Sequence, residues 1–440
     1  MNVLKFGGTS VGSAERIKSV AKLVSTRGKN IIVLSAMAGT TNTLVEIADY
    51  LYKGNVAGAK ETINWLENKY NGVIAELYAS EESREKATNK VRQCLNYVRL
   101  FTDDVITAVA EREILAQGEL MNTALMDIYL HEQGVNSVIL PALDFMSIDR
   151  NGEPNTQYIK QNLTELLYSH ADADLYITQG FICRNADGEV DNLQRGGSDY
   201  TASLIGAAIE AGEIEIWTDI DGMHNNDPRF VDGTAPVSEL HFEEAAELAY
   251  FGAKILHPTC VLPAKLHNIP VRLLNTMQPD APGTLIYNCQ TTNTKKIKAV
   301  AAKDNIISIK IKSGRMLLAY GFLRKVFEIF ETYHTPIDMV VTSEVGVSVT
   351  IDNERNLCQI LDDLKKYGTV TVDRDMVIIC VVGDLEWHNR GFESKALEAL
   401  SEIPVRMVSY GGSNYNISFL VRKEDKVAAL QSLQKHLFAE

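Results

Sequence analysis

The first 26 residues predict a β-strand, a tight glycine turn and an α-helix in direct succession. The apolar run 2–6 carries one charged side chain, Lys5, and breaks at once into Gly7 and Gly8. Apolar residues then recur at helical spacing over 13–26. Backbone N–H groups and the helix dipole attract anions at such a turn, and glycine lets a ligand approach closely. Because the spacing differs from that of a Walker loop, the segment is either a phosphate site or a structural turn beside a solvated lysine.

The alternation of short apolar strands and amphipathic helices continues to about residue 290. It predicts a mostly parallel sheet covered by helices on both faces, a three-layer α/β domain over 1–290. Residues 55–133 are polar and helical without strands, so we expect a helical insertion against one end of the sheet. The alternative is that these helices serve only to pack against the rest of the domain. The predicted strands are 2–6, 30–35, 135–140, 174–178, 213–217 and 270–274, and the helices include 13–26, 42–52 and 198–211.

After a polar linker at 291–296 the pattern changes to two copies of a βαββαβ unit, the ferredoxin-like arrangement. Gly-Phe pairs at 321–322 and 391–392 open corresponding helices and mark an internal repeat. The second copy is one strand short, and the segment 297–302 can supply that strand. We therefore expect one small domain at 303–374, inserted into another that comprises 296–302 and 375–440. The first copy comprises strands 306–312, 337–342, 345–351 and 368–373 and helices 321–333 and 354–367; the second comprises strands 376–382, 404–409 and 415–421 and helices 391–401 and 423–437.

Composition excludes several classes of partner. The chain has 440 residues and a net charge of −14, which argues against nucleic acid or an acidic membrane surface. No apolar run approaches the roughly 20 residues of a membrane span. Six scattered cysteines without paired spacing are typical of a reduced, cytoplasmic protein. The nine histidines form no H-x-x-x-H cluster, so we expect no metal bound by the protein alone.

Two segments in the first 130 residues place polar side chains beside predicted strands or helices. The run 35–42 follows a buried strand, where Ser35 and Thr41 could bind a carboxylate or phosphate at the sheet edge. Helix capping by Thr41 or Asn42 explains the same residues equally well. Glu119 lies inside a helical run and either binds an ammonium group or faces solvent.

Three later segments also carry charged side chains next to predicted strands or helix starts. In the run 195–202 two glycines open a helix, Arg195 offers a bidentate fork to a carboxylate, and Asp199 offers a counter-charge to an amine. The run 217–229 follows a strand and could hold a nucleotide, with Asp219 near water or metal and Arg229 on phosphates. The run 252–258 adds Lys254 before a helix that proline initiates.

Together these segments resemble the aspartokinase family of the amino-acid-kinase fold. The resemblance is carried by KFGGTS, SAMAGTTN, GEL, RGGSDYTA, WTDIDG with DPR, and GAKILHP, in family order, and it spans the chain because the family also has tandem ACT domains. Related kinases of the same fold usually lack the combination of RGGSDYTA and GAKILHP. The resemblance implies ATP-dependent phosphorylation of the side-chain carboxylate of L-aspartate to 4-phospho-L-aspartate, the first step toward lysine, threonine and methionine.

The resemblance also implies roles for individual residues. The phosphate group that is transferred is held and neutralised by Lys5, Lys254 and the amides of Gly7 and Gly8. Mg²⁺ binds mainly to the ATP phosphates. The family often has tyrosine where this chain has His224, and histidine covers a nucleotide less extensively. The implied aspartate ligands are Thr41, Glu119, Arg195, Ser198 and Asp199. The implied ATP ligands are the four phosphate-binding residues named above together with Thr218, Asp219, His224 and Arg229.

The ACT half resembles that of lysine-inhibited, single-function aspartokinases. Asp338 and Glu344 are acidic, as a cationic effector requires, although strand-edge solvation explains them too. Pairing of ACT domains across chains predicts a homodimer, and the resemblance implies L-lysine as the inhibitor. The effector residues that the resemblance implies are Met316, Gly321, Phe322, Leu323, Asp338, Thr342, Ser343, Glu344 and Val345.

Two alternatives to the aspartokinase function stay open: a related kinase with another carboxylate substrate, and a non-catalytic amino-acid sensor.

Overall fold

The computed structural model describes residues 1–103, 105–193, 196–252, 258–288, 296–313 and 320–438. The chain divides into two compact units. Unit 1 comprises Met1–Gly222 and Ile255–Asn288, and unit 2 comprises Met223–Lys254 and Cys289–Glu440. The segment Met223–Lys254, which belongs to the predicted kinase half of the sequence, therefore clusters with the C-terminal residues.

Unit 1 is the α/β part of the molecule, with a sheet built mainly from parallel strands. Its strands are β1 (Val3–Phe6), β2 (Ile31–Leu34), β3 (Ser137–Ile139), β4 (Leu175–Gln179), β5 (Ile182–Arg184), β6 (Val190–Asn192), β7 (Ile214–Thr218), β9 (Val271–Asn275) and β10 (Thr284–Tyr287). Its helices are α1 (Ala14–Ser25), α2 (Thr40–Tyr52), α3 (Val56–Leu77), α4 (Glu81–Leu100), α5 (Ala108–Glu132), α6 (Ala142–Phe145), α7 (Thr156–Ser169), α8 (Gly197–Ile209) and α10 (Pro258–Leu266).

The main sheet of unit 1 runs in the order β3-β4-β2-β1-β7-β9-β10. All neighbours are parallel except β10, which is antiparallel to β9. Val3 of β1 pairs with Ile31 on one side and Ile214 on the other, so β1 lies in the middle. Every residue of β2 is buried, as a central parallel strand requires. The predicted α/β fold with a mostly parallel sheet is confirmed.

The polar helical stretch 55–133 forms the three long helices α3, α4 and α5 without a strand. Apolar residues at helical spacing, such as Ile63, Leu66 and Tyr70 of α3, are buried in the same core as Phe6 and Leu34 of the sheet. The core of unit 1 is therefore shared between the sheet and this helical insertion.

Unit 2 contains the antiparallel part of the molecule. Its elements are β8 (Glu239–His241), α9 (Phe242–Tyr250), β11 (Ile297–Lys312), α11 (Phe322–Thr332), β12 (Val340–Ser343), β13 (Gly346–Ile351), α12 (Leu357–Lys365), β14 (Thr369–Gly383), α13 (Phe392–Ala399), β15 (Met407–Tyr410), β16 (Asn416–Arg422) and α14 (Lys426–Phe438). Six strands form one sheet in the order β12-β13-β11-β14-β16-β15. Two separate apolar cores lie in this unit, one with α11 and α12 and one with α13 and α14.

The two long strands of unit 2 differ from the sequence prediction, which split each of them in two. Asn305 and Asp375 have positive φ, 61° and 52°, and the β11–β14 ladder shifts register between Lys303 and Ile306. Residues with turn preference thus make a bulge rather than a strand end, because ladder pairs continue on both sides. Ala299 to Ala302 pair with Val382 to Ile379, the pairing expected if 297–302 completes the second copy.

In the described part of the chain no helix is long and apolar enough to span a membrane. Cys94, Cys183, Cys260 and Cys380 are buried, and Cys358 is exposed. Cys289 lies outside the described residues.

Candidate active site

The carboxyl ends of four adjacent parallel strands place polar residues on one edge of the unit 1 sheet. The strands β4, β2, β1 and β7 are neighbours, and they end at Gln179, Leu34, Phe6 and Thr218. The segments that follow these ends carry the motifs predicted to bind ligands. In an open parallel sheet this edge is the usual place for a ligand, since the loops beyond the strands form a crevice there.

Lys5 and Asp199 form an ion pair at this edge. Lys5 Nζ lies 2.7 Å from Asp199 Oδ1, and the two side chains are only 12% and 13% exposed. Asp199 belongs to the first turn of α8, whose N-cap residue Gly196 has a φ of 74°. Lys5 Nζ also lies 3.5 Å from the position that a Cβ on Gly7 would take. The ammonium group is therefore held directly beside the glycine turn.

The two glycines of that turn are used in different ways. The Gly7 N–H donates to the Trp217 carbonyl oxygen at 3.2 Å, so a phosphate would have to compete with this bond. The Gly8 carbonyl oxygen accepts from the Ala38 N–H at 3.1 Å. A Cβ on Gly8 would lie 2.7 Å from the Ala36 carbonyl oxygen, closer than side chains tolerate. Gly8 is thus required for close approach of two backbone segments.

Glu119 is a buried carboxyl group that contacts the segment after β2. Its Oε1 accepts from the Ala36 N–H at 3.1 Å, while Oε2 is buried with no hydrogen-bond partner among the described residues. Burial raises the pKa of Glu119 to about 8, although the Ala36 bond opposes the rise. Gly118 makes this approach possible, because a Cβ there would lie 2.9 Å from Ala36 Cβ. The solvated alternative for Glu119 is wrong, and the unpaired oxygen can accept from a cationic ligand.

The remaining predicted aspartate ligands lie on the same loop and on α8. Ser35 Oγ donates to Ser198 Oγ at 2.9 Å. Thr41 is the second residue of α2 and is partly exposed. The N-cap of α2 is Gly39, with no side-chain capping bond, so capping by Thr41 or Asn42 is wrong. Thr41 is therefore not used as a helix cap.

The predicted ATP ligands divide between the two units. Thr218 ends β7 and donates from Oγ1 to Oδ1 of the exposed Asp219 at 3.2 Å. His224 and Arg229 belong to unit 2, where His224 Nδ1 lies 3.1 Å from Thr234 Oγ1. Arg229 makes a bidentate contact with Asp227 at 2.9 and 2.6 Å. Burial alone would raise the pKa of Asp227, but the hydrogen bonds from Arg229 outweigh it and hold that pKa below its usual range.

The predicted effector residues occupy two places in unit 2. Gly321 is the N-cap of α11 and Leu323 is exposed, whereas Phe322 is buried in the core below α11 and α12. Thr342, Ser343, Glu344 and Val345 form the exposed end of β12 and the turn into β13.

Asp338 precedes β12 and is almost fully buried. Its Oδ1 accepts from Lys303 Nζ at 2.6 Å and from the Tyr250 hydroxyl at 2.6 Å. Lys303 also pairs with Asp352 at 3.0 Å and lies 4.4 Å from the centre of the Tyr250 ring. The Asp338 charge is thus shared with Lys303 in this structure. These contacts raise the pKa of Tyr250, chiefly through burial and the bond to Asp338.

Three predicted site residues, Arg195, Lys254 and Met316, lie outside the described residues. Within the described ranges no three His, Cys, Asp or Glu side chains lie close enough together to hold a metal ion.

Sequence reasoning missed two residues that organise the edge of the sheet. Asn122 of α5 donates from Nδ2 to the Ser35 carbonyl oxygen at 2.6 Å. Lys69 of α3 donates from Nζ to the Ala38 carbonyl oxygen at 2.7 Å. Both lie in polar helical stretches, where nothing in the local pattern distinguishes a residue that contacts a distant loop from one in solvent.

Comparisons with known proteins agree with this geometry. Residues 1–275 match the model of the amino acid kinase family, and residues 379–437 match that of an ACT domain. Lysine-sensitive aspartokinase 3 of Escherichia coli is 33% identical over 99% of this chain and 99% of its own length. The crystal structure of E. coli aspartokinase III with aspartate and ADP (R-state) is 32% identical and superposes with a TM-score of 0.85, covering 100% of both chains.

The same E. coli enzyme in complex with lysine and aspartate (T-state) is 33% identical and has a TM-score of 0.82 over 100% of both chains. Full-length identity at this level, together with the family match over most of the chain, establishes membership. This chain belongs to the aspartokinases, within the amino acid kinase family.

Proposed function

We propose that this aspartokinase transfers the γ-phosphoryl group of ATP to the side-chain carboxylate of L-aspartate. The observation that carries the proposal is the Lys5–Asp199 pair at the carboxyl edge of the sheet, together with the buried Glu119 that accepts from the Ala36 N–H in the loop after β2. The related E. coli enzyme, which is similar over its whole length, has been crystallised with aspartate and ADP.

The chemistry needs positioning more than proton transfer. An aspartate side chain has an ordinary pKa of about 3.9, so its carboxylate is already ionised and needs no general base. A carboxylate oxygen attacks the γ-phosphorus, the bond to the β–γ bridging oxygen breaks, and ADP leaves with that electron pair. Two anions must meet for this step, so the protein has to supply oriented positive charge.

The acceptor is held by groups complementary to an α-amino acid. Glu119 and Asp199 receive the α-ammonium group, which favours the ionised form of the buried Glu119 carboxyl. Arg195 holds the α-carboxylate as a bidentate fork. Thr41 and Ser198 orient the substrate from the start of α2 and the first turn of α8.

The nucleotide is held by a second set of residues. Lys5 and Lys254 neutralise the transferring phosphate together with the Gly8 amide, and with the Gly7 amide once it leaves Trp217. Mg²⁺ is a hard cation that prefers oxygen ligands and keeps several waters, so it binds mainly to the ATP phosphates. The remaining contacts come from Thr218, Asp219, His224 and Arg229.

The test is ADP release, measured with a coupled assay in the presence of L-aspartate. Lys5→Ala should lower kcat by at least about a hundredfold, the loss typical of a group that stabilises transition-state charge. Lys53→Ala, on the surface after α2, is the control and should leave the rate unchanged. Turnover with another carboxylate but not aspartate would support the related-kinase alternative. No turnover with any acceptor would support the sensor alternative.

We also propose that the ACT half makes the enzyme sensitive to L-lysine. The assignment of 303–374 and of 296–302 with 375–440 as two ACT domains is supported by the pairing of 297–302 with β14. The related E. coli enzyme has been crystallised with lysine and aspartate. An inhibitor must bind the inactive state better than the active one, so lysine needs contacts that change between states.

Contacts within unit 2 can link effector binding to the segment that carries Lys254. Tyr250, the last residue of α9, donates to Asp338, and Gly252 approaches the Ala302 backbone so closely that no side chain would fit. Tyr250 is only four residues before Lys254 in the chain. A cation that competes with Lys303 and Tyr250 for Asp338 therefore acts on the segment that carries a catalytic lysine.

Titration of activity with lysine and with threonine tests this regulation, and an activity that neither amino acid changes would refute it.

We propose further that the chain forms a homodimer through its ACT domains. Light scattering at micromolar concentration should give twice the mass of 48.8 kDa, and a monomer would contradict this assembly.

A further inference from the structure

The helical insertion holds the loop between β2 and α2, residues 35–39, from the side away from the sheet. Lys69 Nζ on α3 donates to the Ala38 carbonyl oxygen at 2.7 Å, and Tyr70 next to it lies 3.1 Å from Thr40 Oγ1 through its hydroxyl. On the other side the loop contacts Gly8 through the Ala38 N–H. The loop is thus fixed between the glycine turn and α3.

Lys69 is a partly buried lysine. Burial lowers the pKa of Lys69, and no carboxylate among the described residues pairs with it. Its Nζ lies 3.5 Å from the position of a Cβ on Gly39, the N-cap of α2, where the helix dipole is positive and repels a cation. The ammonium group has two stabilising contacts, the Trp65 ring at 5.9 Å and the Ala38 carbonyl oxygen, and the second of these lies in the loop.

The loop carries two of the contacts that the proposed substrate site needs. The Ala36 N–H donates to Glu119, and the helix that begins right after Gly39 carries Thr41. A shift of the Ala38 carbonyl therefore moves both groups relative to Lys5 and Asp199. Displacements of about 1 Å in a positioning group are enough to lower turnover strongly.

We infer that Lys69 is a positioning residue for the amino-acid substrate: its ammonium fixes the Ala38 carbonyl, and through it the Ala36 amide and Thr41. This inference rests on the proposed function, since it assigns the loop to the acceptor rather than to ATP. Lys69 itself need not touch the substrate. Arginine can make the same charged bond to the carbonyl, whereas methionine keeps the length and apolar stem but cannot donate.

The experiment compares Lys69→Met and Lys69→Arg with Lys60→Met on the same helix. Lys60 is exposed and lies 3.8 Å from Asp103, which makes it a matched control. We expect Lys69→Met to raise KM for aspartate about tenfold, the factor that loss of one charged hydrogen bond gives. KM for ATP and the Tm should stay near those of the wild type, and Lys69→Arg should restore most of the affinity for aspartate.

A second measurement does not depend on activity. Hydrogen–deuterium exchange of peptides covering 35–44 should be faster in Lys69→Met than in the wild type and unchanged in Lys60→Met. Equal rises in both KM values, or unchanged exchange with unchanged KM for aspartate, would overturn the positioning role. A large fall in Tm in Lys69→Met with no rescue by arginine would assign the lysine to packing and overturn it as well. If the wild type does not use aspartate, the proposed function fails, while the exchange result still reports on the contact between Lys69 and the loop.

Discussion

Replacing Glu119 by glutamine should make the protein more stable and less able to bind aspartate. Glutamine keeps the shape of the side chain and can still accept from the Ala36 N–H, but it cannot ionise. Burial raises the pKa of Glu119 from its ordinary value of 4.5 to about 8. In the window between these values the native state keeps a proton that the unfolded state has released. Wild-type stability therefore falls as pH rises from about 4.5 to about 8.

The magnitude follows from the size of the shift. A rise of this size corresponds to about 5 kcal/mol of unfolding free energy lost by pH 8. Local rearrangement and entry of water around the charge reduce this cost, so we expect Glu119→Gln to be more stable by on the order of 2–3 kcal/mol at pH 8. At pH 5 the two proteins should differ by less than about 1 kcal/mol, because the glutamate is protonated in the folded protein and still about a quarter protonated in the unfolded chain.

The assay is urea unfolding at pH 5 and at pH 8, with the midpoint compared between the wild type and Glu119→Gln. Glu111→Gln on the same helix is the control, since Glu111 accepts only an exposed hydrogen bond from Tyr52. KM for aspartate should rise at least about tenfold in Glu119→Gln, because the ammonium group loses its charged acceptor. A midpoint difference that is the same at both pH values would refute the reasoning, as would a variant that becomes less stable at pH 8.

Two further predictions concern close approach and coupling. Gly8→Ala should lower kcat/KM for aspartate by about a hundredfold, because its Cβ would lie 2.7 Å from the Ala36 carbonyl oxygen and displace the loop; steady-state kinetics check this. Gly72→Ala on α3 is its control and should stabilise the protein by about 0.5–1 kcal/mol, since nothing lies within 4 Å of the new methyl group. Tyr250→Phe removes the hydroxyl that donates to Asp338 and should shift the lysine concentration for half inhibition severalfold without changing kcat. Unchanged inhibition would show that this contact does not transmit the effector.

Local patterns were sufficient for the fold class and for most of the helices and strands. Alternation of strands and helices predicts the parallel sheet, because apolar period and turn residues report directly on local geometry. The missing strand of the second copy was also predicted from an unassigned segment of the right length, and 297–302 does pair with β14. The insertion of one small domain into the other stays a prediction. Lys5 and Asp199 were candidates because each is a charged residue beside a glycine turn, whereas the residues alone left Glu119 either at an ammonium group or in solvent. The roles of all three stay predictions.

Contacts between distant segments were decided only in three dimensions. The continuous strands β11 and β14 depend on ladder pairs across the sheet, so the turn-like residues Asn305 and Asp375 became bulges instead of strand ends. The unpaired oxygen of Glu119 and its raised pKa come from burial against Ala36, 83 residues away in the chain.

The opening strand, turn and helix thus determined the local geometry at one edge of the sheet, and the anion site there stays a prediction. Which amides are available, and which helix holds the facing loop, depended on packing. The Gly7 N–H donates to the Trp217 carbonyl oxygen and Lys69 donates to the loop, because most buried polar groups pair with a partner that the fold brings near them. The spacing of residues in the sequence does not predict such partners, because they come from distant segments of the chain.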